Sequence, residues 1–214
     1  MSEARILAVD TALGACSAAV MQAGRVLASR HVAMERGHAE ALAPMVEAVM
    51  REAGLAFAEL DKLAVTTGPG TFTGQRVGLA FMRGLHVALK KPLVGITTLA
   101  AMAEQARREA GVDNAAAVHD AKRGEVYLAA VGQTLSARLL RFEDAVTVLQ
   151  EIGDLVLAGT AAIRMAEALN GVRALNIVAP DAVWVARLAV DLESTSVPRP
   201  LYLRAPDAKL PTRR

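Results

Sequence analysis

Disulfides are excluded from this chain, because Cys16 is its single cysteine. A lone thiol suits a reducing compartment, and Cys16 lies in an alternating apolar run that reads as core rather than nucleophile. Aromatic side chains are nearly absent as well. They make up 3% of a sequence that is 53% hydrophobic, so the core has to be assembled from Ala, Val, Leu, Ile and Met. No charge of one sign dominates: the net charge of +2 carries no general nucleic-acid signature. The basic residues are scattered except in the 209–214 tail, which serves either as a solvated end or as an RNA contact. No run of about 18 apolar residues without charge reads as a membrane span, and the N-terminal residues lack the layout of a signal peptide. These absences predict a cytoplasmic protein that makes no membrane contact. The length of 214 residues allows one large domain or two small ones.

What the chain does contain is one organising stretch, Thr66-Thr67-Gly68-Pro69-Gly70-Thr71-Phe72-Thr73-Gly74-Gln75-Arg76-Val77-Gly78-Leu79-Ala80. An apolar strand feeds a Gly-Pro-Gly loop, and the loop feeds a helix that Thr71 or Thr73 can cap. Glycine-rich backbone at a helix start can hold an anion. The same loop equally serves as a rigid strand-to-helix turn that only needs small residues. The helix, expected over 74–90, carries a small stripe of Ala80, Gly84 and Ala88 beside a bulky stripe of Val77, Phe81 and Leu85. A helix apolar nearly all round is central to a core or packed against a second molecule.

Periodicity places strands at 6–9, 16–21 and 26–32, a helix at 37–52, a strand at 63–67, the glycine-rich loop and its helix, a strand at 93–96 and a helix from Thr97 or Thr98 to about 109. The order then repeats: strands at 115–119, 125–131 and 134–141, a helix at 144–151, a strand at 155–158, a helix at 160–169, a strand at 175–178 and a helix at 181–192. Three meandering strands followed by helical crossovers give a mixed α/β sheet with helices on both faces. Asp10 and Asp120 end the first strand of each half, where ligands of such sheets bind. Facing each other, the two carboxylates would suit Mg²⁺ held through water; separately, each caps a turn.

Several of these stretches resemble the TsaB (YeaZ) family. They are Ile6-Leu7-Ala8-Val9-Asp10-Thr11, Cys16-Ser17-Ala18-Ala19-Val20, Arg36-Gly37-His38-Ala39-Glu40, Gly68-Pro69-Gly70-Thr71-Phe72-Thr73-Gly74 and Pro92-Leu93-Val94-Gly95-Ile96. Asp120-Ala121-Lys122-Arg123-Gly124-Glu125-Val126-Tyr127 and Tyr202-Leu203-Arg204 match too. The matches are dense over 5–100 and sparser beyond. The resemblance implies a duplicated actin-like ATPase (RNase H-like) fold in two lobes, one over 1–110 with 181–214 packing back onto it and one over 111–180. It implies a non-catalytic partner of the transferase TsaD, which moves a threonylcarbamoyl group to N6 of the adenosine beside the tRNA anticodon. It also implies assembly with the small ATPase TsaE, a homodimer when alone, and contact with tRNA only through the complex.

Catalytic relatives hold a metal with a His-x-x-x-His pair, whose spacing puts both imidazoles on one helix face. His31, His38, His86 and His119 include no such pair, and the position four after His38 is Leu42. The resemblance to glycoprotease-like (peptidase M22-like) proteins therefore carries no metal chemistry here, and no metal ligand is expected. The phosphate loops of ATP-using relatives are reduced to Asp10, Thr11, Gly68, Gly70 and Asp120, with Lys122 and Arg123 facing either phosphate or water. No tightly bound cofactor is expected, and ATP or ADP belongs at most at a boundary shared with partners. The alternative is an ATP-dependent phosphotransferase or ATPase of this fold acting alone. For the partner surface the expected residues are Met45, Val46, Val49 and Met50 on the first helix, with Ala80, Phe81 and Gly84 on the second.

Overall fold

A computed structural model describes residues 3–133 and 135–204. The basic 209–214 tail and Thr134, the expected start of the eighth strand, lie outside the described residues. The first half runs β1 (Arg5–Asp10), β2 (Ala15–Gln22), β3 (Arg25–Ala33), α1 (His38–Ala53), β4 (Lys62–Gly68), α2 (Phe72–Leu89), β5 (Leu93–Thr97) and α3 (Thr98–Ala110). The second runs β6 (Asn114–Lys122), β7 (Glu125–Val131), β8 (Leu135–Arg141), α4 (Phe142–Gln150), β9 (Leu155–Ala158), α5 (Ala162–Ala168), β10 (Arg173–Ala174) and α6 (Ala182–Ala189). The two five-stranded sheets have the orders β3-β2-β1-β4-β5 and β10-β9-β6-β7-β8. Reversing the second gives the first with β6 in the place of β1, so the duplication is one of topology. In each half a three-stranded antiparallel meander is extended by two parallel strands.

Several boundaries differ from the sequence reading: β6 runs on through Asp120 to Lys122, α4 starts two residues early and α6 ends three residues early. α2 starts at Phe72 because the Thr71 hydroxyl accepts the Gly74 amide at 3.1 Å and caps the helix two residues early. α5 is shorter than expected at both ends. The last strand falls at 173–174, not 175–178. Leu175 still bonds β9 through the Leu157 carbonyl (2.8 Å), but the Ile177 amide turns back to the Leu175 carbonyl (2.9 Å), a three-residue turn that ends the ladder.

The strand period of two splits each sheet cleanly. Leu7 and Val9 face α1 and α2, while Ile6 and Ala8 face α6. In the second sheet Ala116 and Val118 face α4 and α5, and Ala115 and Ala117 face α3. α3 belongs to the first half in sequence, and the 1–110 boundary assigns it to the first lobe; it covers the second sheet. α6 returns to cover the first. Each half thus lends its last helix to the other. Lys62 secures the returning helix: its ammonium donates to the carbonyls of Ala189, Val190 and Leu192 at 2.8–2.9 Å, where the helix dipole favours a cation. Among the described residues no helix is long and apolar enough to cross a membrane.

The packing corrects part of the expected partner surface. Met45, Val46, Val49 and Met50 are all buried against their own sheet, in one cluster with Leu7, Val20 and Val65. The apolar face of α1 is therefore spent inside the protein. On α2 the picture differs: Gly74, Gln75, Gly78, Leu79 and Met82 face inward, Phe81 is half-buried, and Ala80 and Gly84 are exposed. Val49→Asp should accordingly cost about 3–5 kcal/mol by burying an unpaired charge, whereas Ala80→Asp should stay within about 1 kcal/mol of the parent. Urea denaturation of the two variants checks this, and equal losses would contradict the packing described.

Candidate functional site

The sequence reading gathers its candidate nucleotide residues where β1 ends. The structure brings Asp10, Thr11, Gly68 and Gly70 together there, but they satisfy one another. Asp10 is fully buried. Its Oδ1 accepts the Thr66 hydroxyl at 2.5 Å and the Ala12 amide at 3.1 Å, and its Oδ2 has no partner. Burial pushes the carboxyl up to about 7, with the charge of Asp181 at the start of α6 adding to the rise and the bonds from Thr66 and Ala12 opposing it.

Thr11 reaches across to α2. Its hydroxyl donates to the Gly74 carbonyl (2.7 Å) and accepts the Gly78 amide (2.9 Å). Ala12 fills the loop: its carbonyl accepts the Thr71 amide at 2.8 Å, and a Cβ at Gly70 would strike the same carbonyl. Behind the loop the Pro69 carbonyl accepts the Thr98 hydroxyl (2.6 Å), and the Gly70 carbonyl accepts the Gln75 amide nitrogen (2.8 Å). Gly68, at φ 108° before a cis Pro69, lies under the Gln75 side chain, so a Cβ there would meet the carboxamide. The glycines are thus needed for close approach within the protein. Residues 11 and 12 occupy the concave side of the loop against Gly70 and Gly74.

Asp120 is equivalent to Asp10 in topology but not in chemistry. It is partly exposed and paired with Lys122 (2.8 Å), which holds its carboxyl below the usual range. Its amide donates to the Thr160 hydroxyl (2.9 Å), which also lies 3.1 Å from His119 Nδ1. Burial lowers the His119 pKa. Lys122 is directed at Asp120 rather than at a glycine-rich cradle. An open cavity of about 780 Å³ separates this group from the first half, lined by Leu13, Met34, Thr71, His119, Lys122 and Thr160 among others. Asp10 does not reach it. Among the described residues no three His, Cys, Asp or Glu side chains gather at ligand spacing. Burial also pushes the Cys16 thiol up to about 11, as befits a core residue.

Sequence reasoning missed three features. Thr66 and Gln75 are buried polar anchors of the loop, signalled only by polar residues inside an apolar run. The third is an exposed stack at the start of α2. The Arg76 guanidinium lies 3.4 Å from the Phe72 ring centroid and 5.8 Å from that of Tyr202, and its Nε donates to the Tyr202 hydroxyl at 3.0 Å. Arg204 then pairs with Glu125 of the second half. The Tyr202-Leu203-Arg204 match in the sequence marked this tail without revealing its target.

Two topologically identical sheets, each covered by a helix lent from the other half, define the duplicated actin-like ATPase architecture. It is shared with the ROK hexokinase of Thermus thermophilus at TM-score 0.50 and 17% identity, over 86% of this chain and 97% of that one. Two Pseudomonas aeruginosa crystal structures are much nearer, one of YeaZ and one of a protein with similarity to peptidase YeaZ. They superpose at TM-scores of 0.77 and 0.80 with 30% and 33% identity, each covering 95% of this chain and all of its counterpart. The family described as TsaD, tRNA N6-adenosine threonylcarbamoyltransferase, matches residues 31–155. The Escherichia coli K12 tRNA threonylcarbamoyladenosine biosynthesis protein TsaB is 39% identical over 125 residues, which is 58% of this chain and 54% of that protein. The chain belongs to the TsaB (YeaZ) family. Its match spans about half the length of the E. coli relative.

The buried Asp10 gives the fold a pH signature. Between its ordinary value near 4 and about 7 the folded state keeps a proton that the unfolded state releases, so this group makes stability fall as pH rises, by at most about 1.4 kcal/mol per unit. Asp10→Asn removes that term. Stability of the variant relative to the parent should therefore increase from pH 4 to pH 7, measured by urea denaturation at each pH. A difference that stays flat would mean that Asp10 is ionised in the fold.

Proposed function

We propose that this protein is a non-catalytic scaffold subunit that binds and activates TsaD in threonylcarbamoylation of N6 of the adenosine beside the tRNA anticodon. The observation that carries the reading is the two-faced α2. One face packs on the first sheet, and the other leaves Ala80, Gly84 and Ala88 exposed beside Val87, which is 73% exposed. An apolar helix face left in water suits a protein interface, and its small residues let a second helix approach closely. The self-satisfied loop at Asp10, Thr11, Gly68 and Gly70 supports the non-catalytic part. The TsaB and TsaD names of the relatives support the pathway.

On this reading the same face pairs with TsaD in the working complex and with a second copy of the chain when TsaD is absent. TsaE joins the assembly, tRNA is met through the complex, and ATP or ADP sits at a boundary shared with partners rather than in the Gly-Pro-Gly loop. The reaction takes place in the cytoplasm.

Gly84 offers a direct test. A Cβ there meets nothing within 4 Å, so Gly84→Arg leaves the monomer unstrained. The variant should unfold like the parent yet bind TsaD and itself at least about tenfold more weakly, measured by analytical ultracentrifugation. It should also fail to support modification when mixed with TsaD, TsaE, tRNA, ATP and threonylcarbamoyl-adenylate. Unchanged assembly would remove α2 from the interface. Turnover of ATP by the purified chain alone would favour an independent phosphotransferase instead.

A further inference from the structure

The α2 helix poses a problem of orientation. Its fully buried stripe is Gly74, Gln75, Gly78, Leu79 and Met82, and the half-buried Val77, Phe81, Leu85 and Leu89 pack beside it on the same core. Its outward side is also largely apolar. Hydrophobic burial is non-directional, so these contacts choose the face that α2 buries while leaving its exact rotation loosely set. Directed bonds narrow that setting.

Thr11 supplies them. Its hydroxyl sits on a single rung of α2, donating to the Gly74 carbonyl (2.7 Å) and accepting from the Gly78 amide (2.9 Å), which are the two ends of one i to i−4 pair. The bonds are buried and link residues more than sixty positions apart. The fit is steric as well as polar. A Cβ at Gly74 would strike the Thr11 carbonyl, and one at Gly78 would lie 2.7 Å from Thr11 Oγ1. The Gly-x-x-x-Gly spacing of 74 and 78 is therefore the seat of a threonine side chain, not a crossing point for another helix. Ala80, two residues beyond Gly78, lies on the exposed side of the helix.

We propose that Thr11 is a positioning residue. By bonding both ends of the Gly74–Gly78 rung it fixes the rotational setting of α2, and so presents Ala80, Gly84 and Val87 to the partner in one orientation. The inference rests on the scaffold reading above and names a residue that acts through α2 without touching the partner. It also gives Thr11, half of a vestigial Asp-Thr phosphate motif in the sequence reading, a different task.

The test compares Thr11→Val, which keeps the shape and loses the hydroxyl, with Thr11→Ser, which keeps the hydroxyl. Three quantities are read: hydrogen exchange of the Gly78 amide, affinity for TsaD by calorimetry, and the thermal midpoint. Lys62→Met is the control, since it loosens the α6 end of the fold, away from this seat. Thr11→Val should speed Gly78 exchange and weaken TsaD binding about tenfold, and Thr11→Ser should restore both. Lys62→Met should lower the midpoint and leave the affinity alone. If Thr11→Val does not fold, Gly78→Ala, which crowds the same hydroxyl, is carried through the same measurements with the same expected result. A variant whose midpoint falls while its TsaD affinity matches the parent overturns the positioning role. Unchanged Gly78 exchange overturns the seat itself. Failure of the parent chain to bind TsaD overturns the scaffold reading, an outcome the exchange measurement keeps distinct.

Discussion

The structure depends on a two-residue insertion. Thr11 and Ala12, leaving β1, occupy a notch floored by Gly70, Gly74 and Gly78. The notch exists because those positions lack a Cβ, and the insertion is held by the Thr11 hydroxyl and the Ala12 carbonyl. Any side chain at Gly70 or Gly74 would collide with backbone, which cannot rotate away as a flexible side chain can. From this one contact follow the setting of α2, the closure of the loop and the burial of Asp10 beneath it. The next residue, Leu13, continues into the cluster built on α3 and the second sheet, so the insertion also ties the two halves together.

Closure changes what a conserved topology can do chemically. In a duplicated sheet the ends of β1 and β6 are equivalent, yet their aspartates have opposite environments. Asp120 keeps a cation within 2.8 Å and stays ionised. Asp10 is fully buried, with the Thr66 hydroxyl and the Ala12 amide on one oxygen and no protein hydrogen bond on the other. A carboxylate that is to bind an ion must be charged where the ion arrives, and desolvation at this site favours the neutral form. Packing alone thus gives two topologically equivalent aspartates different charge states, with no change of residue.

Most of the element order was legible because each element announced its own period. The short apolar runs of β1, β2, β6 and β7 and the caps at Thr71 and Thr97 are local signals, and the duplication followed from their order. The exceptions are non-local. The apolar stripe of α1 reads identically whether it meets its own sheet or another protein, since burial, not periodicity, distinguishes them; Met45, Val46, Val49 and Met50 turned out to be core. The glycines at 68, 70 and 74 carry the composition of a phosphate loop, and only the position of residues 11 and 12 shows that the space is taken. The exchange of α3 and α6 between halves left no mark on either helix, because an amphipathic face does not name the sheet that it covers; the return of 181–214 to the first lobe came from the family resemblance, and the crossing of α3 was missed.

That exchange bears on how firmly the two halves are held together. With α3 on the second sheet and α6 on the first, neither half closes both faces of its sheet by itself. Separating the halves would expose the apolar faces of both sheets, so the interhalf arrangement is as firmly held as a domain core. The tail reinforces it: Arg83 of α2 donates to the Pro198 carbonyl, Arg76 holds Tyr202, and Arg204 pairs with Glu125 across the halves. With α3 and α6 exchanged, Arg204 bonded across the cleft and Thr11 seated in α2, the exposed face of α2 is carried on a frame built from both halves.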